Sequence, residues 1–239
     1  MHGIGLDHRC WEPVLPQLER SRDVIAVDLP GFGDSPGLGA PEVEALADAV
    51  EDTLGELGIV RPHVAGNSLG GAVALELGAR GRVASACGLS PAGFAVGREE
   101  AYAEASLKLT AAASRRLEPF ADALAAGPVR RTLLMAQNFA RPWRVPPADA
   151  AHMLRAMAGA KGFDATLPAI GRWTPKLGPG PTTIAWGERD RLLIASRQAP
   201  RAARLLPGAR HVLLRGCGHV PIWDDPDQVA RVLLDASGG

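Results

Sequence analysis

The stretch Gly66-Asn67-Ser68-Leu69-Gly70 decides how this sequence folds, because it lies between a short apolar segment and an alanine-rich one. His63-Val64-Ala65 predicts a strand before it, and Gly71 to Arg80 predicts a helix after it. The pattern G-x-S-x-G in this context is typical of a sharp turn that strains the serine backbone and exposes its hydroxyl. We therefore predict that Ser68 is a nucleophile. The alternative is that Ser68 only caps a glycine-rich helix.

The glycines at both ends of this motif have a steric reason. In a tight strand-to-helix turn, side chains at positions 66 and 70 would collide with the backbone. The helix that begins near Leu69 would also direct unpaired amide groups and the positive end of its dipole toward a developing oxyanion.

Short β-branched segments alternate with helical segments along the chain, which predicts parallel βα units. The pattern predicts a buried strand at 23–28, and an apolar stripe (Val43, Leu46, Val50, Leu54 and Leu57) predicts the core face of a helix. Further strands are expected at 83–89, 182–186 and 211–214, and further helices near 196–206 and 228–235. The predicted fold class is α/β, with a mostly parallel sheet flanked by helices.

The middle of the chain differs in composition from both flanks. From about residue 93 to residue 178, β-branched residues become rare, alanine and arginine accumulate, and prolines separate short amphipathic segments. Pro147, with Asp149 two residues later, is a typical helix start. We predict a core formed by 1–92 and 179–239, with 93–178 inserted as a helical unit.

Composition and charge narrow the classes of function. The chain has 239 residues, and its 26 lysines and arginines balance its 26 aspartates and glutamates, which argues against nucleic acid or an anionic membrane as a partner. No apolar segment is long enough to span a membrane and no signal-peptide pattern opens the chain, so we expect a cytoplasmic protein. Cys10, Cys87 and Cys217 lack metal-ligand or redox spacing and are expected to be reduced and structural.

A serine hydroxyl needs a base to accept its proton. His219 is the best candidate, because it lies in a glycine-flanked loop just after the last predicted strand, at the same sheet edge as Ser68. Asp190 follows the preceding strand and is the expected carboxylate behind that histidine, with Glu188 and Asp164 as alternatives. His63, His152 and His211 are expected to be structural, and His8 is a weak alternative base. Asp224 and Asp225 are expected to cap the final helix.

Taken together, these motifs resemble the α/β-hydrolase family over nearly the whole chain. The chain order Ser68, Asp190, His219 is that of the family. His2-Gly3-Ile4-Gly5 resembles the HGxG oxyanion loop of the family, and the residues from Asp28 to Ser35 resemble its D-x-P-G-x-G-x-S segment. The resemblance implies that the backbone amides of Ile4 and Leu69 form the oxyanion hole. The alternative for the first residues is a disordered terminus.

The resemblance also implies that 93–178 form a helical cap over the site. Six apolar residues of this region could line a substrate pocket, although each is also a plausible member of the cap core: Met135, Phe139, Trp143, Met153, Met157 and Trp173. A pocket of this kind favours an uncharged, moderately hydrophobic acyl or alkyl group.

The expected function is hydrolysis of a small carboxylic ester through an acyl-Ser68 intermediate, with no metal and no organic cofactor. Members of the family with a serine triad also include C–C bond hydrolases, thioesterases and acyltransferases. Serine instead of aspartate at position 68 argues against a haloalkane dehalogenase or an epoxide hydrolase. An alternative of another class is a non-catalytic module that binds a small ligand. The sequence leaves the oligomeric state open.

The start of the chain carries one more expectation. The family places an apolar strand directly before the His-Gly pair, in the sheet between the strand that ends at Asp28 and the strand that leads to Ser68. Here His2-Gly3 follows Met1 directly. We expect that the natural protein begins some 20 to 30 residues earlier. A version extended upstream would then melt at a higher temperature and be more active.

Overall fold

The computed structural model describes residues 1–39 and 41–238. In this part of the chain, one sheet contains four strands, which are β1 (His63–Asn67), β2 (Ser85–Leu89), β3 (Thr182–Gly187) and β4 (Arg210–Leu214). The strands lie in the order β1-β2-β3-β4, and every neighbouring pair is parallel. The register aligns the carboxyl ends, with Asn67 opposite Leu89 and Leu89 opposite Ala185. The prediction of an α/β fold with a parallel sheet is confirmed.

Helices precede, follow and separate these strands. In chain order they are α1 (Leu15–Leu18), α2 (Val43–Glu56), α3 (Leu69–Ala79), α4 (Arg98–Leu117), α5 (Ala121–Ala126), α6 (Pro128–Met135), α7 (Pro147–Gly159), α8 (Phe163–Ile170), α9 (Ala195–Leu205), α10 (Pro221–Asp224) and α11 (Pro226–Ala236). Helices α4 to α8 are all inserted between β2 and β3, within the region that composition had set apart. Helix α7 begins at Pro147, with Asp149 in its first turn.

The sheet is buried on both faces. Ile184 and Trp186 of β3 belong to a core formed with α2 and α3, whereas Ala185 between them belongs to a second core formed with α11. This alternation follows from the two-residue period of a strand. It explains why the strands read as continuous apolar runs, which is typical of a parallel sheet covered by helices.

The prediction of a buried strand at 23–28 is wrong. This segment forms no ladder with β1, and the side chain of Ile25 is 50% exposed. A groove of about 400 Å³ separates the segment from β1. Apolar residues of both helical layers line the groove, among them Val50 and Leu54 on one side and Leu18, Leu233 and Leu234 on the other.

Met1 closes the carboxyl end of this groove. Its ammonium group donates a hydrogen bond to the carbonyl of Ala65 (2.9 Å), and its carbonyl accepts one from the amide of Asn67 (3.1 Å). These two bonds bracket Gly66 as a residue of a neighbouring parallel strand would. Burial lowers the pKa of the Met1 ammonium to about 6.

Over the described ranges, no helix combines the length and apolar character that a membrane crossing requires.

Candidate active site

Ser68 occupies the turn between β1 and α3. Its backbone has φ +55° and ψ −113°, a conformation that is strained for a residue with a side chain. The carbonyl of Leu89 in β2 accepts a hydrogen bond from the Ser68 amide (3.0 Å) and so fixes the turn to the sheet. A Cβ atom at Gly66 would overlap the carbonyl of Gly70, and one at Gly70 would overlap the carbonyls of Met1 and His2. Both glycines are therefore required by close backbone approach.

His219 and Asp190 form a buried pair at the carboxyl ends of β3 and β4. The Nδ1 atom of His219 lies 2.8 Å from Oδ2 of Asp190. The other carboxylate oxygen accepts the amides of Leu192 (2.9 Å) and Leu193 (2.8 Å). A carboxylate held in this way accepts a hydrogen bond from Nδ1–H, which leaves Nε2 as the atom of the ring that can accept a proton.

Asn67 connects this pair to the serine turn. Its side-chain amide donates to the carbonyl of His219 (2.8 Å) and to the carbonyl of Leu89 (3.0 Å). Within the described residues, neither the Ser68 hydroxyl nor Nε2 of His219 makes a hydrogen bond. Such contacts are often long in unliganded enzymes and tighten when substrate binds. Both residues are more than nine-tenths buried.

Glu188 and Asp164, the alternative carboxylates, have partners other than His219. Glu188 is exposed and accepts the amide of Gly216 (2.8 Å), so it supports the loop that leads to His219. Asp164 is exposed on α8 and pairs with Arg115 of the inserted region.

The other histidines have partners away from Ser68. His8 pairs with Asp28, His152 with Asp7, His63 with the Ser85 hydroxyl and His211 with the carbonyl of Leu206.

Cys217 is fully buried, and burial together with the nearby carboxylates of Asp224 and Asp225 raises the pKa of its thiol to about 12. Since the thiolate is the reactive form, Cys217 is a poor nucleophile at neutral pH.

The loop at the start of the chain lies against the serine turn. The carbonyl of His2 accepts the amide of Gly70 (3.0 Å), and a Cβ atom at Gly3 would lie 3.2 Å from Cβ of Ser68. The amide of Ile4 follows directly in this loop. Leu69 is the first residue of α3, where an amide has no intrahelical acceptor. Ile4 and Leu69, whose amides the resemblance assigns to an oxyanion hole, thus belong to two segments that are hydrogen bonded to each other beside Ser68.

The side chain of His2 connects this loop to the segment that begins at Asp28. Its Nε2 accepts the amide of Leu29 (2.9 Å), and its Nδ1 lies 2.8 Å from the carbonyl of Gly3. An acceptor at Nε2 and a donor at Nδ1 define a neutral imidazole. Burial lowers the pKa of His2 to about 4, in agreement with that state.

The segment from Asp28 to Ser35 forms a compact turn that contacts the inserted region. The Asp28 carboxylate accepts the amides of His8 (2.6 Å) and Asp34 (3.1 Å). A Cβ atom at Gly33, which has φ +52°, would overlap that carboxylate. The carbonyl of Gly31 accepts the amide of Gly162, which immediately precedes α8 (2.8 Å).

A cavity of about 250 Å³ lies among the inserted helices. Four of the six residues proposed to line a pocket do line it, namely Met135, Phe139, Met153 and Met157. Leu6 contributes from the loop that carries Ile4, and Met157 lies directly against Gly5. Ser68 is not among the lining residues, so the cavity adjoins the loop at the start of the chain and does not enclose the serine.

The two tryptophans lie outside this cavity. Trp143 is 52% exposed. Trp173 is buried in the main core, where its indole N–H donates to the carboxylate of Glu76 on α3 (2.9 Å). Both were predicted to line the pocket because they are large and apolar. A buried indole N–H needs a hydrogen-bond acceptor, and that of Trp173 has one in the core.

Two polar residues near the His219–Asp190 pair were not predicted from the sequence to be part of the site. Asn67 occupies a variable position of the G-x-S-x-G pattern, and Asp224 was expected to cap the last helix. Asp225 is the residue that caps α11, since its carboxylate accepts the amide of Gln228 (2.9 Å). Asp224 instead accepts the amides of Ala140 in the inserted region and of Gly218, the residue before His219.

The parallel sheet, the serine on a strand-to-helix turn, the His219–Asp190 pair and the inserted helices define a class of α/β protein. A family model described as "Alpha/beta hydrolase family" matches residues 1–232. The chain therefore belongs to the alpha/beta hydrolase family.

Individual relatives agree with this assignment. A pimeloyl-[acyl-carrier protein] methyl ester esterase of Aromatoleum aromaticum is 31% identical, and the match covers 100% of this chain and 97% of that protein. A dihydrolipoyllysine-residue acetyltransferase component of an acetoin cleaving system of Pseudomonas putida is 32% identical over 98% of this chain, which spans 61% of the length of that relative. The crystal structure of an enol-lactonase of Burkholderia xenovorans LB400 matches 100% of this chain and 89% of its own, with a TM-score of 0.77 and 20% identity. At this identity the likeness concerns the fold.

Proposed function

We propose that this alpha/beta hydrolase is a serine esterase that cleaves a small, moderately hydrophobic carboxylic ester. One observation carries the proposal: the side chain of Asn67, directly before the strained Ser68, donates to the carbonyl of His219, whose ring is held by Asp190. This bond brings a candidate nucleophile and a candidate base, with its orienting carboxylate, to one sheet edge. The relative of A. aromaticum, named as a methyl ester esterase, supports the same class of reaction.

The reaction follows from the roles of these groups. Nε2 of His219 accepts the hydroxyl proton as Ser68 Oγ attacks the ester carbonyl carbon, and the amides of Ile4 and Leu69 stabilise the oxyanion. The intermediate collapses when the imidazolium gives its proton to the leaving alcohol, which leaves an acyl-Ser68. A water molecule activated by His219 then attacks the acyl carbon and releases the acid. Asp190 stabilises the imidazolium at both stages.

The cap cavity supports an apolar acyl group. Its lining includes methionine, leucine and phenylalanine side chains, which accommodate irregular apolar shapes. The charged residue on the lining, Arg131, directs its guanidinium to the backbone carbonyls of Ala126 (3.2 Å) and Trp143 (3.4 Å). The cavity wall therefore offers mainly apolar contact to a bound chain.

The test is a panel of p-nitrophenyl esters of increasing acyl length, assayed beside a dienoate with a cleavable C–C bond and an acyl thioester. We expect turnover of esters with a preference for a short or medium acyl chain, and loss of turnover in Ser68→Ala. Faster cleavage of the dienoate or the thioester would assign a C–C hydrolase or thioesterase activity instead. Binding of these compounds without turnover of any would favour a non-catalytic binding module.

A further inference from the structure

We propose that Asp224 is a positioning residue that fixes the catalytic histidine loop to the wall of the cap cavity. The histidine loop is defined here as residues 216–220, and the strap as residues 138–141, which follow α6. The Oδ2 atom of Asp224 accepts the amide of Gly218 in the histidine loop (2.7 Å) and the amide of Ala140 in the strap (2.9 Å). Its Oδ1 atom accepts the amide of Arg141 (2.7 Å). One carboxylate thus joins two segments that are about 80 residues apart in sequence.

The two segments also touch directly. The carbonyl of Asn138 accepts the amide of Val220, the residue after His219 (2.8 Å). A Cβ atom at Gly218 would lie 2.7 Å from the amide nitrogen of Ala140 and 2.8 Å from the carbonyl of Asn138. The histidine loop therefore packs against the strap at backbone contact, and glycine at 218 permits this approach.

The strap is at the same time part of the cavity. Asn138 and Phe139 line it, and the side chain of Phe139 is almost completely buried. A change in the cap wall that moves the strap would pull on Gly218 and Val220, the two residues that flank His219. Asn67 holds the carbonyl of His219 from the sheet, so the histidine is fixed from the core by one side chain and from the cap by another.

Burial makes this connection costly to break. Asp224 is 1% exposed, and burial raises the pKa of its carboxyl, although the three amide donors and the nearby Arg141 oppose that shift. If the carboxylate were removed, two buried backbone amides (Gly218 and Ala140) and the partly buried amide of Arg141 would lose their acceptor. Unpaired buried amides are strongly unfavourable, so the loop and the strap would rearrange to find other partners.

This inference rests on the proposed esterase function, and the test separates the two. Asp224→Ala removes all three acceptor contacts. Asp224→Asn can keep one oxygen toward Gly218 and Ala140, but it turns an N–H group toward the amide of Arg141, so it disturbs the strap more than the histidine loop. Asp225→Ala is the matched control, because the Asp225 carboxylate accepts hydrogen bonds from the amide (2.9 Å) and the side chain (3.3 Å) of Gln228 in the first turn of α11, rather than from the histidine loop or the strap.

Each variant is assayed with p-nitrophenyl acetate and p-nitrophenyl hexanoate, and kcat is normalised to the sites that a fluorophosphonate titrates. We expect Asp224→Ala to lower kcat about 10- to 100-fold on both esters, the effect of a catalytic group displaced by about 1 Å. Asp224→Asn should keep kcat on acetate within a few-fold and raise KM for hexanoate. Asp225→Ala should lower the melting temperature and leave both constants unchanged.

Asp224→Asn with wild-type constants on both esters would overturn the positioning role, and this variant decides the matter if the alanine variant fails to fold. Equal loss of kcat in the Asp225→Ala control would also overturn it, because the effect would then be general. A wild-type protein that is neither labelled nor active would instead refute the proposed function.

Discussion

Asp190 shows how one carboxylate fixes the tautomer and orientation of the histidine proposed as the base. Its three hydrogen bonds come from one imidazole N–H and two amides of its own loop, so the carboxylate cannot rotate away from His219 without losing two further bonds. We expect Asp190→Asn to lower kcat on the order of 10³- to 10⁴-fold, because an amide N–H toward Nδ1 favours the wrong tautomer of the ring. Steady-state kinetics with the best ester of the panel measures the effect.

Glu188→Gln is the control for this prediction. Glu188 lies two residues away and accepts only the amide of Gly216, a bond that the glutamine oxygen can keep. Its kcat should stay within a few-fold of wild type. The reverse ranking of the two variants would transfer the role of the acid to Glu188.

His2 is a second histidine whose proton state the fold determines. Its neutral ring accepts the amide of Leu29, and burial lowers its pKa from 6.5 to about 4. Between pH 6.5 and pH 4 the imidazole of His2 is protonated in the unfolded chain and neutral in the folded chain. The neutral ring therefore contributes up to about 3 kcal/mol to the free energy of unfolding above pH 6.5, and this contribution is lost as the pH falls toward 4.

The measurement is the free energy of unfolding in urea between pH 7.5 and pH 4.5, for wild type and for His2→Gln. Glutamine does not titrate and can present an oxygen toward the amide of Leu29. The variant should be less stable than wild type at pH 7.5 and should approach it as the pH falls. A difference that stays constant over this range would contradict the assignment of a neutral His2.

At the residue scale, position in the chain was enough to find the serine, the histidine and the aspartate as candidates. Each follows the end of a strand, and parallel strands place these ends at one edge of the sheet. Asn67 and Asp224 could not be found in this way. Asn67 binds a backbone carbonyl 152 residues away, and Asp224 binds the amides of Ala140 and Arg141, which are 84 and 83 residues away. No sequence pattern predicts such bonds.

At the scale of elements, the predicted strands and helices that border the sheet agree with the structure to within a few residues, because their apolar periods are regular. The segment at 23–28 has the same apolar composition as a central strand but forms no ladder. A strand needs a hydrogen-bonded neighbour as well as propensity, and the groove beside β1 separates this segment from the nearest one.

The groove beside β1 has the apolar lining and the hydrogen-bonding edge that an additional parallel strand would need. It is lined by apolar residues from both helical layers, and Met1 already makes the two ladder bonds opposite Gly66. We expect that five apolar residues fused ahead of Met1 would lie along β1 and raise the melting temperature, since they would pair unused backbone groups and replace the buried ammonium by an amide. Differential scanning calorimetry measures the shift.

A Gly-Ser segment of the same length is the control, and it should raise the melting temperature less. Equal melting temperatures for the two fusions would show that the groove does not accept a strand. The expectation that the natural protein begins further upstream stays a prediction.

For the whole molecule, the sequence predicted the layers of the fold and the insertion of helices between β2 and β3. The shape of the cavity among the inserted helices could not be predicted from the sequence, because side-chain identity alone does not distinguish a residue that lines a cavity from one that is buried in the core. Met153 and Met157 line the cavity, whereas Trp173 is fixed in the core by its bond to Glu76. Which face of an inserted helix meets the loop at the start of the chain depends on packing between segments that are distant in the chain.

The central claim is that Ser68 is an activated nucleophile, and covalent labelling tests it most directly. The protein is treated with a fluorophosphonate, digested, and the adduct is located by mass spectrometry in wild type and in Ser68→Ala. We predict one adduct on Ser68 in wild type and none in the variant, with both proteins folded by circular dichroism. An adduct on Cys217 or on another serine, or labelling that persists in Ser68→Ala, would contradict the account.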